Sequence, residues 1–248
     1  MLGFGFGFAA RRRGGPFHPA QLFAAGEQGL WFDPSEPGTL FEDSAGTIAA
    51  VVDGPVGRIA DKSGRGNHAV QANAASRPLL RQDGDGRRYL EFDGTDDALR
   101  ALFPIAQPYD RMSGLRLLSS DGASRHAFGG GTAHGGLLFH HAPVPSLSIA
   151  SSITAATRTD FPVGVTAVIS ERFDGAGSRL AVNAAAATTG NPGATASGGM
   201  TLGGRFDGAS AGASRMRLYG VVVRAGRLSD ARLAQLRLWL AGKAGVTL

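Results

Sequence analysis

Residues 200–242, MTLGGRFDGASAGASRMRLYGVVVRAGRLSDARLAQLRLWLAG, decide the fold. They read as a short strand, a Gly/Ala/Ser loop, a long strand and one capped helix. From Met216 to Arg224, Arg217 and Tyr219 alternate with Met216, Leu218 and Val222, the period of a half-buried strand. Ser229 is placed to cap the helix and Asp230 puts an acid in its first turn, while Leu228 and Leu233 are spaced to close a hydrophobic staple. Leu233, Leu236 and Leu240 then recur at helical spacing, and Gly242 is placed to end the helix.

Outward from this stretch the chain reads as many short strands. Leu30–Phe32, Val56–Asp61, a strand near Leu79, Tyr89–Leu99 with a turn at Asp93-Gly94, and Leu115–Leu118 come first. His126–Phe128, Gly136–His140, Ser146–Ala150, Val163–Arg172 (Val165, Ala167 and Ile169 on one face) and Ser178–Asn183 follow. The segment NAAAATTGNPGATASGG, from Asn183, reads as an exposed low-complexity loop. In the DKSGRGNHAV segment, Asp61, Ser63, Gly64, Gly66 and Asn67 are turn formers whose side chains can hold a loop through backbone bonds. Thirty-eight glycines among 248 residues, with 43% hydrophobic residues, suit an all-β sandwich better than a helical bundle.

Cysteine is absent, which excludes a disulfide framework and cysteine-ligated metal. The net charge of +5 is carried mainly by arginine and would suit an acidic partner, although a GC-rich coding sequence gives the same bias. Arg77, Arg81, Arg87, Arg88, Arg232 and Arg237 are not interleaved with aromatics as in a nucleic-acid surface, so nucleic acid is not an expected partner. No apolar run approaches the roughly 18 residues that span a bilayer, so membrane insertion is not expected. Leu2, Phe4, Phe6 and Phe8 precede Arg11, Arg12 and Arg13, the reverse of a secretory signal. The expectation is a protein made in the bacterial cytoplasm that leaves, if at all, within a particle.

Residues 1–29 stand apart as an extended N-terminal arm, with residues 20–31 including a short helix, and residues 30–248 form the β domain. A segment alternating Gly with Phe4, Phe6 and Phe8 and followed by Arg11, Arg12 and Arg13 cannot bury its own rings, so it is expected to dock on another protein.

The order DKSGRGNHAV, YLEFDGTDDAL, LGGRFDG and then MRLYGVVVRAGRLSDARLAQLRLWLAGKAG resembles the concanavalin A-like, LamG-type jelly roll. The opening GLWFDPSEPGTLFEDSAGT is similar to the version carried by virion proteins of bacteriophages and gene transfer agents. The resemblance implies a jelly-roll sandwich of two antiparallel sheets with a C-terminal α-helix. It also implies a non-enzymatic head- or tail-associated virion component, a homo-oligomer among other virion proteins, with the arm as its anchor. A glycan-binding adhesin for host capsule or lipopolysaccharide is the alternative, and a polysaccharide depolymerase ranks below both.

Hydrolysis on this fold needs paired carboxylates, about 5 Å apart for retention. The nearest pair on one strand, Glu171 and Asp174, has the wrong spacing, so no catalytic residue is assigned. No cofactor is expected, with calcium an option: Asn67, Asp93, Asp96 and Asp97 supply the oxygen ligands it takes, while turn stabilisation accounts for the same residues. His126, His134, His140 and His141 cluster in sequence; His134 and His140 are the candidates there for a metal or sugar, against a reading as loop and strand-surface residues.

Overall fold

Two antiparallel sheets face each other, and the chain passes repeatedly from one to the other. The structure is a computed structural model and describes residues 15–119, 123–130, 136–141, 146–151, 154–158, 161, 163–205 and 212–248. Sheet one holds β1 (Gly29–Phe32), β5 (Leu79–Gln82), β6 (Arg88–Asp93), β8 (Tyr109–Leu117), β13 (Ala167–Phe173), β14 (Ser178–Val182), β15 (Thr188–Gly190) and β17 (Arg215–Ala225). Its order is β15-β14-β13-β8-β17-β6-β5, with β1 also paired to β17. Sheet two holds β2 (Leu40–Phe41), β3 (Arg58–Ile59), β4 (Ala69–Val70), β7 (Leu99–Ile105), β9 (Arg125–Gly130), β10 (Leu137–His141), β11 (Ser146–Ala150), β12 (Thr154–Arg158) and β16 (Ser197–Leu202). It runs β12-β11-β10-β9-β16-β7-β4-β3-β2. This is the expected all-β jelly-roll sandwich, closed by one C-terminal helix, α1 (Asp230–Ala244).

The core lies between the sheets, where alternate residues of each strand meet. Leu90 and Phe92 of β6, Leu99, Ala101, Phe103 and Ile105 of β7, and Ile169 and Phe173 of β13 all belong to it. The outer face of sheet one is covered too, by α1 and a 3-10 turn at Pro19–Phe23, through Leu22, Phe23, Trp31, Met112, Val168, Leu236 and Leu240. The central strands of sheet one, β1, β8, β13 and most of β17, are therefore buried on both faces and lose the alternation that marks a half-buried strand. That is why only Leu115–Leu118 reads as a strand where β8 begins at Tyr109: all but one of its residues are buried, Asp110 and Arg111 among them.

The long strand β17 carries a bulge, where the register against β8 shifts between Leu218 and Gly220. The extra residue reverses the phase of the side chains. Met216, Leu218, Val221 and Val223 face the core, whereas Val222 faces the helix. The grouping of Val222 with Met216 and Leu218 is thus corrected, and outward Tyr219 is buried as well, against Tyr89 and Ala244. The bulge places Gly220 opposite Gly114. A Cβ on Gly114 would lie 3.0 Å from Cβ of Ala244 and one on Gly220 3.2 Å from Leu240, so this glycine pair lets α1 settle onto the sheet.

Helix α1 starts as expected, with Ser229 Oγ accepting the Arg232 N–H at 3.3 Å. It does not end at Gly242. It continues to Ala244 and stops at Gly245, which takes the left-handed conformation (φ 69°) that favours glycine. Lys243 near its end reaches Asp33 Oδ2 at 2.9 Å and Ser35 Oγ at 2.6 Å, tying the helix to the end of β1.

The expected turn at Asp93-Gly94 forms, and because both edges of β6 are taken by β5 and β17 the chain leaves it for sheet two. Two other expectations are corrected, and one strand was unforeseen. Val165 is 55% exposed and precedes its strand, which begins at Ala167. The segment from Asn183 contains β15, which pairs with β14, and leads into β16 at Ser197. β12, which had no sequence signal, lies beside β11.

Two ion pairs join β8 to β13 back to back. Arg111 Nε and Nη2 donate to the two oxygens of Glu171 at 2.7 and 2.5 Å on the core side, and Arg111 Nη1 donates to Gly136 O at 2.7 Å. On the helix side Arg172 Nε and Nη2 each donate to Asp110 at 2.7 Å. Glu171→Gln should leave the Arg111 charge buried without its counter-ion and lower unfolding free energy in urea by ~3–5 kcal/mol, whereas Arg111→Met combined with Glu171→Leu should recover most of that loss. Wild-type stability in Glu171→Gln would show that the pair is not closed inside the sandwich.

Candidate functional site

The DKSGRGNHAV loop is built as its turn formers suggest. Asp61 Oδ1 accepts the N–H groups of Trp31 and Ser63, each at 2.9 Å, and Oδ2 accepts Ser63 Oγ–H at 2.7 Å and the Asn67 N–H at 3.0 Å. Asn67 Nδ2 donates to Gly29 O at 2.6 Å. The loop is a clasp on β1, and Asn67 does not join the three aspartates proposed as its metal partners.

Those aspartates do come together, at the rim where β6 leaves sheet one. Asp93 Oδ1 accepts the N–H groups of Thr95, Asp96 and Asp97 at 2.7, 3.3 and 3.4 Å. Asp97 Oδ2 accepts the Asp93 N–H at 2.9 Å, and Ser76 Oγ donates to Asp96 Oδ2 at 2.8 Å. The turn needs glycine at 94, where φ is 80° and a Cβ would meet Arg215 N at 2.7 Å. One oxygen from each of the three carboxylates lies within 4.8 Å of the others. That spread is about twice a calcium–oxygen distance of ~2.4 Å, so Asp93, Asp96 and Asp97 fit a hard cation.

Beside the triad, Leu79, Arg81, Glu91, Phe92, Asp93, Asp97 and Arg215 line a cleft of about 280 Å³. Arg81 Nη1 is held by Asp53 at 2.6 Å, and Glu91 is shared between Arg81 at 3.6 Å and Arg217 at 2.8 Å. Carboxylates and guanidinium groups set around one opening can bind neighbouring hydroxyls through paired hydrogen bonds. Sequence reading found the aspartates and missed Arg81, Glu91 and Arg215 as their neighbours. One signal was present: Glu91 and Asp93 are two apart on a strand and so share a face.

The other sequence candidates fall elsewhere. His140 is 1% exposed and its Nε2 is 3.1 Å from Ser214 Oγ, so it is an interior residue and not a strand-surface one. His126 Nδ1 is 3.3 Å from Gly212 O. Phe4, Phe6, Phe8, Arg11, Arg12, Arg13 and His134 lie outside the described residues. Arg77 donates to the carbonyls of Gln71 and Ala72 at 3.1 Å each, and Arg87 pairs with Asp83 and Asp85. Among the described residues, no helix is long and apolar enough to cross a membrane.

No protein-family model matches this sequence, and no curated protein matches it. Solved structures do share the fold. A Trypanosoma rangeli sialidase in complex with sialic acid matches 94% of this chain at 14% identity with a TM-score of 0.57. An arabinofuranosidase complexed with arabinofuranosyl-alpha-1,2-xylobiose matches 91% of it at 15% identity with a TM-score of 0.56. The chain covers 36% of the sialidase and 65% of the arabinofuranosidase, so it spans about a third of the first and under two thirds of the second. These matches show the fold alone. They overturn the expectation that the chain is not an enzyme, which rested on the spacing of Glu171 and Asp174 and on the virion resemblance: the same fold occurs in chains named as a sialidase and an arabinofuranosidase.

The triad makes the rim sensitive to pH. Burial pushes the Asp97 carboxyl from 3.8 up to about 7; the Asp93 N–H acts against this, and the charges of Asp93 and Asp96 add to it. Burial also acts upward on Asp93, but the N–H groups of Thr95, Asp97 and Asp96 outweigh it and hold that carboxyl below its ordinary value. Between pH 3.8 and about 7 the folded chain therefore keeps a proton on Asp97 that the unfolded chain has lost. Stability contributed by this proton is full below the window and falls as pH rises through it. Wild type should lose about 2–4 kcal/mol between about pH 4 and about pH 8 relative to Asp97→Asn, measured by urea denaturation at each pH. Parallel curves for the two proteins would refute the assignment. Stabilisation by calcium at the upper pH, in wild type and not in Asp97→Asn, is the mark of a cation on the triad.

Proposed function

We propose that this chain is a carbohydrate-recognition sandwich that binds sugar hydroxyls at the rim cleft beside Asp93 and Asp97. The observation that carries the reading is the fold match, which takes in more than nine-tenths of this chain within larger proteins whose names include a sialidase with sialic acid and an arabinofuranosidase with a pentose oligosaccharide. The polar lining of the cleft, with Arg81, Glu91, Asp93, Asp97 and Arg215 around one opening, supports it. We also propose that the chain acts on a phage-like particle, in several copies and in contact with other particle proteins. Support for this comes from the resemblance of GLWFDPSEPGTLFEDSAGT and the SGRGN loop to virion proteins, with Phe4, Phe6, Phe8, Arg11, Arg12 and Arg13 as the attachment segment.

Affinity electrophoresis of the full chain through sialylated glycans, arabinoxylan and bacterial capsular polysaccharide tests the first part. Retardation by at least one polymer is expected, weakened about tenfold in Arg215→Ala. Passage through all of them unretarded would sink the reading, and release of reducing ends from a retained polymer would add catalysis to it. For the second part, deletion of residues 2–13 should leave the melting temperature unchanged and remove the chain from purified particles. Full incorporation of the deleted chain would refute the anchor.

A further inference from the structure

On the helix side of sheet one, the first half of α1 stands over β13 and β14 and leaves a cleft of about 260 Å³. Ser170, Arg179, Ala181, Asp230, Leu233 and Arg237 line it. Ser170 lies two residues from both Val168 and Arg172 on β13 and shares their outward face, so its side chain points away from the core and into this cleft. Ser170 is only 9% exposed, and its Oγ has no hydrogen-bond partner among the described residues. The same holds for Nε of Arg237. A buried hydroxyl and a buried guanidinium N–H left unpaired are costly, and two of them lining one cleft point to a ligand that pairs them.

The charges show what kind of ligand. Asp110 is held by Arg172 and by the Leu228 N–H at 2.6 Å, and Glu171 is held by Arg111 on the far side of the sheet. Asp230, 91% exposed, lies 3.4 Å from Arg179. Arg237 has no carboxylate partner among the described residues, so the cleft is left with a cation in excess. Its wall is formed by small apolar residues, Ala181, Ala185 and Ala187, which leave room for a ring.

We infer that this cleft binds the carboxylate of an acidic sugar residue, with Arg237 and Arg179 gripping the carboxylate and Ser170 Oγ pairing with a ring hydroxyl. A planar guanidinium matches a carboxylate edge to edge, which is the geometry Arg is suited to. The inference rests on the carbohydrate reading, and it assigns to that reading a second site and an acidic ligand class.

Titration of the full-length protein with glucuronate and with N-acetylneuraminate, followed by amide chemical shifts and calorimetry, tests it. Shifts are expected at Ser170, Arg179 and Arg237, with affinity reduced about tenfold in Arg237→Gln and about tenfold for the methyl ester of either acid. Ser170→Ala should weaken binding without altering the melting temperature. Equal affinity for acid and ester, or unchanged affinity in Arg237→Gln, overturns the inference. Displacement of glucuronate by inorganic phosphate at equal concentration overturns the sugar assignment, leaving a plain anion site. If neutral polymers are retained while neither acid binds, this inference fails and the carbohydrate reading stands; if no glycan of any kind binds, both fail.

Discussion

The structure depends on one alignment of charges. Asp110-Arg111 on β8 runs antiparallel to Glu171-Arg172 on β13, so Arg111 stands opposite Glu171 and Asp110 opposite Arg172. A slip of one residue in one direction would set Asp110 against Glu171. A slip in the other would set Arg111 against Arg172. Either places like charges in the closest cross-strand position, which is unfavourable even at a surface and far worse when buried. A buried ion pair is a weak source of net stability because desolvation cancels much of its attraction. Its effect here is to exclude, together with the stacked Tyr109–Phe173 pair, the wrong registers of a strand pair whose far half, Ala167, Val168 and Ile169 against Leu115, Gly114 and Ser113, discriminates poorly.

From that register the rest of the helix side follows. Asp110 Oδ2 accepts the N–H of Leu228 at 2.6 Å, and Arg172 Nη2 donates to its carbonyl at 2.8 Å. The outer ion pair thus satisfies both backbone groups of the residue that precedes the helix cap. It fixes where α1 begins, and the Gly114–Gly220 saddle fixes how closely it lies. The inner pair links the two sheets instead. The Arg111 guanidinium lies 4.8 Å from the ring centroid of Phe128 in sheet two and 5.4 Å from that of Phe173 in sheet one. Its third bond goes to Gly136 O at the entrance of β10. One cross-strand quartet therefore sets a strand register, a helix origin and the spacing between layers.

What the sequence disclosed was local chemistry. The Ser229 cap, the Asp61 clasp, the facing of Leu90 and Phe92, and the Asp93–Asp97 turn each depend on residues within a few positions of one another. The rest depends on partners far apart in the chain. Glu171 was weighed only against Asp174, just past the end of its own strand, whereas its partner Arg111 is 60 residues upstream. Charged residues inside a sandwich break the apolar pattern that marks a buried strand, so only the Leu115–Leu118 end of β8 read as one. The bulge at Tyr219 and Gly220 had no local signal either, since an Arg-Leu-Tyr-Gly-Val run alternates well enough for an unbroken strand. Arg81 and Arg215 come to line the same rim cleft as Asp93 through the pairings of β5 and β17 with β6, which only the sheet order supplies.

The hydrogen bonds of each aspartate also tell which loop is able to bind. A carboxylate has about four lone-pair sites. Asp61 fills its two oxygens with four donors from its own loop and β1, and so has nothing left to offer a ligand. Asp43 is similar: the Ile48 and Thr47 groups that bond to it hold its carboxyl down at about 2. Asp97 differs, since one backbone N–H is its only described donor and burial raises its carboxyl to about 7. A carboxyl that is short of donors, close to two other acids and open to a cleft gains most from a cation, a proton or a sugar hydroxyl. Of these loops the turn at 93–97 is therefore the one with binding capacity to spare, while the Asp61 carboxylate of the SGRGN loop, which looks as suggestive in the sequence, is used up in holding the chain together.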